Sequence, residues 1–297
     1  MLIAFFGLPL AALLLARDGH QVGLAVLCRP DAVGRRRLVR LLGSARVCQK
    51  GDLAEDALAA RIAELRPDLI VSWFWTARLP RRVIGLARLG GIGAHPSLLP
   101  RHRGPDPYFA AIDQGDRETG VTIHRIDAEY DTGAILDQRR LPIDPRWSAW
   151  QLARRLDRPS LALLRDVVGR LARGEPLPGA PQDERFATWA AEPDADACEI
   201  RWSSDTEPLL RRIRALCPAP GAFTDIGGEI VTILTARAAP TYPRALAPGE
   251  ATVIDGVAVV RTADHAVELL AGERDGQPLD RAALASLVAR AREKVIG

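Results

Sequence analysis

Three short apolar runs separated by helix-length segments constrain this chain more than any other feature. Residues 2–6, 21–27 and 68–73 each read as a strand buried on both faces, bounded by glycine, proline or aspartate. Between the first two, residues 10–17 have helical apolar spacing, with Pro9 in the first turn and Asp18-Gly19 as the stop. Residues 54–65 alternate apolar and charged side chains in the same way. Strand–helix–strand repetition of this kind predicts an α/β, Rossmann-like domain with a mostly parallel sheet. The Gly-x-Gly-x-x-Gly fingerprint of dinucleotide binding is missing from the first turn, so neither NAD nor FAD is expected.

At 297 residues the chain has room for a second domain. Residues 147–173 read as an amphipathic helix that Pro159 should kink or divide. The proline- and glycine-rich stretch 174–182 then breaks the pattern. Beyond it a helix at 206–215 leads into short segments at 222–226, 230–236, 251–254, 257–261 and 267–270, punctuated by glycines. This predicts a smaller C-terminal β-barrel, OB-like, and a division into 1–177, a linker at 178–186, and 187–297.

A net charge of +3 gives no argument for nucleic acid by itself. The basic charge is almost all arginine, since Lys50 and Lys294 are the lysines. Cys28, Cys48, Cys198 and Cys217 are scattered without metal or disulfide spacing, so no metal site is expected and reduced thiols in a cytoplasmic protein are. The apolar start lacks a positive flank and is too short to span a bilayer, so no membrane association is expected.

Chemistry concentrates between Gly90 and Leu136. A short apolar run ends at His95, which places the imidazole at a strand's carboxyl end, the edge where open α/β sheets bind ligands. Residues 120–126 suggest a second strand and 134–136 a third, leaving Asp131-Thr132-Gly133 as a turn in which Gly133 is free to take positive φ. His95 and Asp131 lie 36 residues apart, and two turns at one sheet edge bring them over one cleft. A carboxylate there stabilises the protonated imidazole, and the pair can donate to an oxyanion and manage a proton. Trp73-Phe74-Trp75, at the end of another strand, reads either as core packing or as a wall for a flat ring.

This stretch resembles the active-site segment of the folate-dependent formyltransferases, through His95, Ser97-Leu98-Leu99-Pro100, Arg103-Gly104, Thr119-Gly120-Val121-Thr122 and Asp131-Thr132-Gly133. So many matches in order are far more specific than one short motif. The resemblance extends to Trp189, Trp202 and the Pro220-Gly221-Ala222-Phe223 turn of the second domain. It implies transfer of a formyl group from 10-formyltetrahydrofolate to a primary amine, with His95 donating to the formyl oxygen and Asp131 holding His95 and relaying protons. It also implies folate contacts from Ser97, Leu98, Leu99, Pro100, Trp73, Trp75, Thr132 and Gly133, and acceptor contacts from Gly93, Arg101, His102 and Arg103. The acceptor is an amino sugar, perched on a nucleotide, or another small amine; methionyl-tRNA is the second expectation.

One position departs from the pattern. The family's asparagine, two residues before the histidine, is Gly93 here. Removing one oxyanion donor typically costs about 2.7–4 kcal/mol. Another group fills the gap, with His102, Arg103 and Ser97 as candidates; or Gly93 admits a larger acceptor or another acyl donor; or the site has decayed and the protein only binds folate or a nucleotide-sugar. Hydrolysis of formyltetrahydrofolate is a further alternative.

Overall fold

In the computed structural model, residues 1–51 and 54–296 are described, with side chains as far as Arg292. The first sheet contains β1 (Leu2–Gly7), β2 (Gln21–Leu27), β3 (Val47–Gln49), β4 (Leu69–Trp73), β5 (Gly91–His95), β6 (Glu118–Arg125) and β7 (Ile135–Pro142), in the order β3-β2-β1-β4-β5-β6-β7. The first five are parallel and the last two antiparallel. The parallel strands are apolar on both sides because helices cover them: Ala4, Phe6, Leu24, Val26 and Ile70 pack with Ile62 of the helix Glu55–Leu65. The mostly parallel Rossmann-like sheet is therefore as expected.

The carboxyl ends of the central strands are in step. Gly7 pairs with Trp73 and Trp73 with Ala94, so His95 lies at the shared edge. β5 is the strand at which the sheet changes sense, parallel to β4 and antiparallel to β6. The helix Ala149–Ala172 runs through Pro159 without interruption, so of the two expected effects, kink or division, the division does not occur. Leu152, Leu156, Leu163, Leu164 and Val167 on either side of the proline are buried, and apolar burial along the whole face outweighs the one lost backbone hydrogen bond.

The aromatic run at the end of β4 is largely packed inward. Trp73 is buried and its Nε1 donates to Ser160 Oγ at 2.9 Å, while its ring meets Phe74 edge-on. Trp75 packs edge-on against Phe6 with Lys50 Nζ 5.7 Å from its ring centroid.

Two compact units divide the chain. The first comprises Met1–Pro107, Glu118–Pro142 and Arg154–Ala190; the second comprises Tyr108–Arg117, Ile143–Ala153 and Ala191–Gly297, the last residue lying outside those described. The second unit carries the expected small barrel-like antiparallel sheet: β8 (Ala222–Ile226), β9 (Glu229–Ala238), β10 (Ala251–Ile254), β11 (Val257–Arg261) and β12 (Ala266–Arg274), in the order β10-β11-β12-β9-β8, with β13 (Gln277–Leu279) on β12. Its core joins Val231, Ile233, Val260 and Leu269 to Leu209 and Ile213 of the helix Thr206–Leu216 and Leu284 and Val288 of the helix Arg281–Ile296. No described helix is long and apolar enough to cross a membrane, and the four cysteines are free thiols.

Candidate active site

Strand periodicity puts Gly93 and His95 on one face of β5, and Thr122 and His124 on one face of β6. The antiparallel register pairs Gly93 with His124 and His95 with Thr122, so all four share that face. The β6–β7 ladder shifts register between Ile123 and His124, a local irregularity of the kind that re-aims side chains beside functional sites.

His95 is buried, and its Nε2 lies 2.7 Å from the His102 carbonyl oxygen. A carbonyl only accepts, so Nε2 carries the hydrogen and Nδ1 is turned to Asp131 Oδ2, 3.4 Å away. His124 repeats the arrangement. Its Nδ1 donates to the Arg125 carbonyl at 2.8 Å, and its Nε2 is 3.5 Å from Asp131 Oδ1. One carboxyl group thus stands between two imidazoles whose ring centroids are 6.4 Å apart. Each imidazole has already spent one N–H on a backbone carbonyl, so it donates to Asp131 only after gaining a proton. Burial pushes the His124 pKa below the usual histidine range; Asp131 opposes this, while His95, and more weakly Arg103, reinforce it.

Asp131 itself has φ +57 and accepts from the Gly104 N–H at 2.9 Å through Oδ2. Positive φ in the Asp131-Thr132-Gly133 turn therefore falls on the aspartate, not on Gly133 as expected. An aspartate tolerates this conformation better than most residues. Gly133 is required for a different reason: a Cβ there would lie 1.9 Å from the Arg125 carbonyl oxygen. Thr132 is half-buried, its hydroxyl 3.4 Å from the Glu129 carbonyl.

The loop after His95 is closed on itself. Ser97 Oγ donates to the Arg101 carbonyl at 2.6 Å, and Thr122 Oγ1 both donates to the Ser97 carbonyl and accepts from Leu99 N–H. Gln138 Nε2 donates to the Leu99 carbonyl at 2.9 Å. Ser97 and Leu99 are buried, whereas Leu98, Pro100 and Arg101 are half-buried. His102, at φ +58, donates its N–H to Thr188 Oγ1. The Arg103 guanidinium is committed to Gln182 Oε1 and to both oxygens of Glu184, and holds the Glu184 carboxyl below the usual carboxylate range. Arg103 thus faces its own chain.

Two residues that the sequence reading did not place in the site belong to its frame. Gln182, in the expected linker, donates through Nε2 to the carbonyls of Asp131 and Gly133 at 2.6 and 2.8 Å while accepting from Arg103. His124 was legible as a strand residue in the same segment, but only the antiparallel register sets it opposite Gly93. Among the described residues, no group of three or more His, Cys, Asp or Glu is placed to hold a metal ion.

Residues 15–168 match the formyl transferase family and residues 194–285 match the formyl transferase C-terminal domain. The chain is 31% identical to a methionyl-tRNA formyltransferase of Ralstonia nicotianae over 283 residues, covering 87% of this chain and 85% of that one. Among solved structures it resembles a variant of HypX from Aquifex aeolicus, with TM-score 0.66 and 21% identity over 99% of this chain; the chain spans 49% of that protein. It also resembles an N-formyltransferase from Helicobacter canadensis in complex with folinic acid and dTDP-3-aminofucose, with TM-score 0.67 and 15% identity, covering 90% of this chain and 98% of that one. At those identities the structural likeness is one of fold.

Proposed function

The chain belongs to the formyltransferase family, and from that premise we propose that it moves a formyl group from 10-formyltetrahydrofolate to a primary amine. The observation that carries this reading is the approach of His95 Nδ1 to within 3.4 Å of Asp131, across 36 residues of sequence, at the carboxyl edge of the parallel sheet. A neutral amine attacks the formyl carbon, charge develops on the formyl oxygen, and the amine loses a proton. The His95 Nε2–H, which rests on the His102 carbonyl in the free protein, is the donor that meets the oxygen; Asp131 orients the ring and manages the proton.

The donor's flat heteroaromatic ring fits beside Trp75. That side chain follows β4 at the same edge, and its Nε1 is buried with no hydrogen-bond partner among the described residues. A bound acceptor atom would satisfy it.

The acceptor is a small amine, such as an amino sugar on a nucleotide. Tyr130 and Trp189, exposed and with ring centroids 6.4 Å apart, offer a surface for a base immediately before Asp131. Methionyl-tRNA is the second reading, favoured by the 31% identical relative and by Arg36, Arg37 and Arg40 on the helix Arg35–Leu42. Formyl transfer from 10-formyltetrahydrofolate should be measured with nucleotide-linked amino sugars and with methionyl-tRNA, alongside formate release without amine. One acceptor should raise folate turnover well above the amine-free rate. Absence of folate binding and of transfer to every amine would defeat the reading, and formate release alone would replace it with hydrolysis.

A further inference from the structure

We propose that the seam of the second unit's barrel-like sheet is a binding site for a small organic cation with a flat apolar body, an aryl-alkyl amine. The strand path β10-β11-β12-β9-β8 leaves β10 and β8 as its two edges, and no ladder joins them among the described residues. A cavity of about 390 Å³ lies between those edges. Thr224, Asp225 and Ile226 of β8 line one side of it, and Glu250 and Ala251 at the start of β10 line the other. Cavities of about 300–1,000 Å³ are those in which proteins hold small molecules. Every lining residue belongs to the second unit, so the inference stands apart from the transfer reading.

The lining specifies the occupant. Its floor is the unit's own core: Val260, Leu269 and Val288 are buried members of that core, and Ile226 packs against it. These side chains offer contact and no hydrogen bonds, so the part of the ligand that meets them is apolar. Trp202 adds ring surface only, because its Nε1–H is already given to Thr224 Oγ1 at 2.9 Å. A flat ring suits that wall. The turn after β8 is seated firmly on the helix Arg281–Ile296: Gly227 has φ +65, and a Cβ on it would lie 2.6 Å from that of Ala291. Charge then selects the sign. One oxygen of Asp225 accepts the Gly228 N–H at 2.8 Å, and one of Glu250 accepts the Ala247 N–H at 2.9 Å. Neither carboxylate is paired with a basic side chain among the described residues. Arg292, the third charged residue of the lining, donates to Thr252 Oγ1 at 2.6 Å. Two carboxylates against one guanidinium leave an excess of negative charge, which an ammonium group complements.

Methyl NMR of the full chain, labelled at isoleucine, leucine and valine, decides this. The probes are tryptamine, a cation, and indole-3-propionate, an anion on the same indolyl-ethyl body. Tryptamine should shift the Ile226, Val260, Leu269 and Val288 methyls saturably below about 5 mM. It should bind at least about tenfold more tightly than indole-3-propionate. Asp225→Asn with Glu250→Gln keeps an acceptor for both backbone N–H groups and should bring the two affinities within about threefold of each other. Ala251→Phe fills the cavity from β10 and should abolish the shifts, while the Ile62 and Ile70 methyls of the first unit stay in place. Absence of saturable tryptamine shifts at those residues overturns the site. Indole-3-propionate binding as tightly as tryptamine, or a preference that survives the double charge variant, overturns the assignment to a cation. Undiminished binding to Ala251→Phe places the probe elsewhere on the molecule and overturns the cavity.

Discussion

The two imidazoles that flank Asp131 are anchored in opposite ways. His95 gives its N–H to a loop carbonyl, that of His102, in a segment held by contacts with Thr188, Gln182 and Glu184. His124 gives its N–H to the carbonyl of the next residue, Arg125, at the end of a strand paired on both edges. The first anchor lies on a loop that side-chain hydrogen bonds tie to Thr188, Gln182 and Glu184. The second is fixed by the sheet and by the close approach of Gly133 to the same carbonyl. One ring anchored on a loop carbonyl and one anchored on a strand carbonyl, divided by one carboxylate, form an asymmetric arrangement, and that asymmetry can be tested from either side.

Removing the shared element should have the largest effect. Asp131→Asn keeps an oxygen for the Gly104 N–H but removes the charge and the proton route to both rings. Formyl transfer should fall by about 10³-fold in kcat, with folate affinity little altered. A loss below about tenfold would show that the carboxylate is a turn former. Next in size is Gly133→Ala. A methyl 1.9 Å from the Arg125 oxygen forces that carbonyl, and with it the His124 ring, to move. A displacement near 1 Å costs about 100-fold in rate; the loss should appear in kcat, and the His124 NMR signals should shift while those of His95 stay. Arg103→Leu attacks the other anchor. It frees Gln182 and Glu184 and slackens the loop that carries His102, so His95 should shift and His124 should not. About a tenfold fall in kcat/KM is expected, smaller because the Thr188 and Ser97–Arg101 contacts still hold the loop. Equal disturbance of both rings by either variant would remove the asymmetry.

The difference between the anchors also explains what could be read from the residues. His95, Asp131 and the loop from Ser97 to Gly104 lie in one ordered motif, and a strand ending at His95 follows from its apolar run. The parallel sheet and the antiparallel second unit follow from buried strand runs and glycine-punctuated strands. Cross-strand partners do not. Gly93 departs from the motif, and the identity of its neighbour depends on whether β6 runs with or against β5 and in which register. A one-residue slip would have turned His124 to the opposite face. The sequence offers Gly133 as the residue free to take positive φ, whereas Asp131 takes it and the glycine answers to the Arg125 oxygen. Arg103 and Gln182 show the same limit. A basic residue in a loop and a glutamine in a linker carry no sequence sign that they bond each other.

The smallest effect is on stability, and it isolates the rigid side. Burial, more than any neighbour, holds the His124 pKa below the usual histidine range, against the pull of Asp131. The unfolded chain takes up its proton near pH 6.5, before the folded chain does. The unfolded state is therefore the more protonated one as pH falls below about 6.5, and the folded state loses stability there. One site gives at most about 1.4 kcal/mol per pH unit. Above that range the ring is neutral in both states and contributes no slope. Comparing denaturant unfolding of wild type and His124→Asn from pH 8 to pH 5.5 should show the wild type's relative stability falling with pH only in the lower half of the range. A difference that stays flat would mean that the ring gains its proton in the folded protein as readily as in water, so that Asp131 outweighs burial. The imidazole would then rest as the charged partner of the carboxylate.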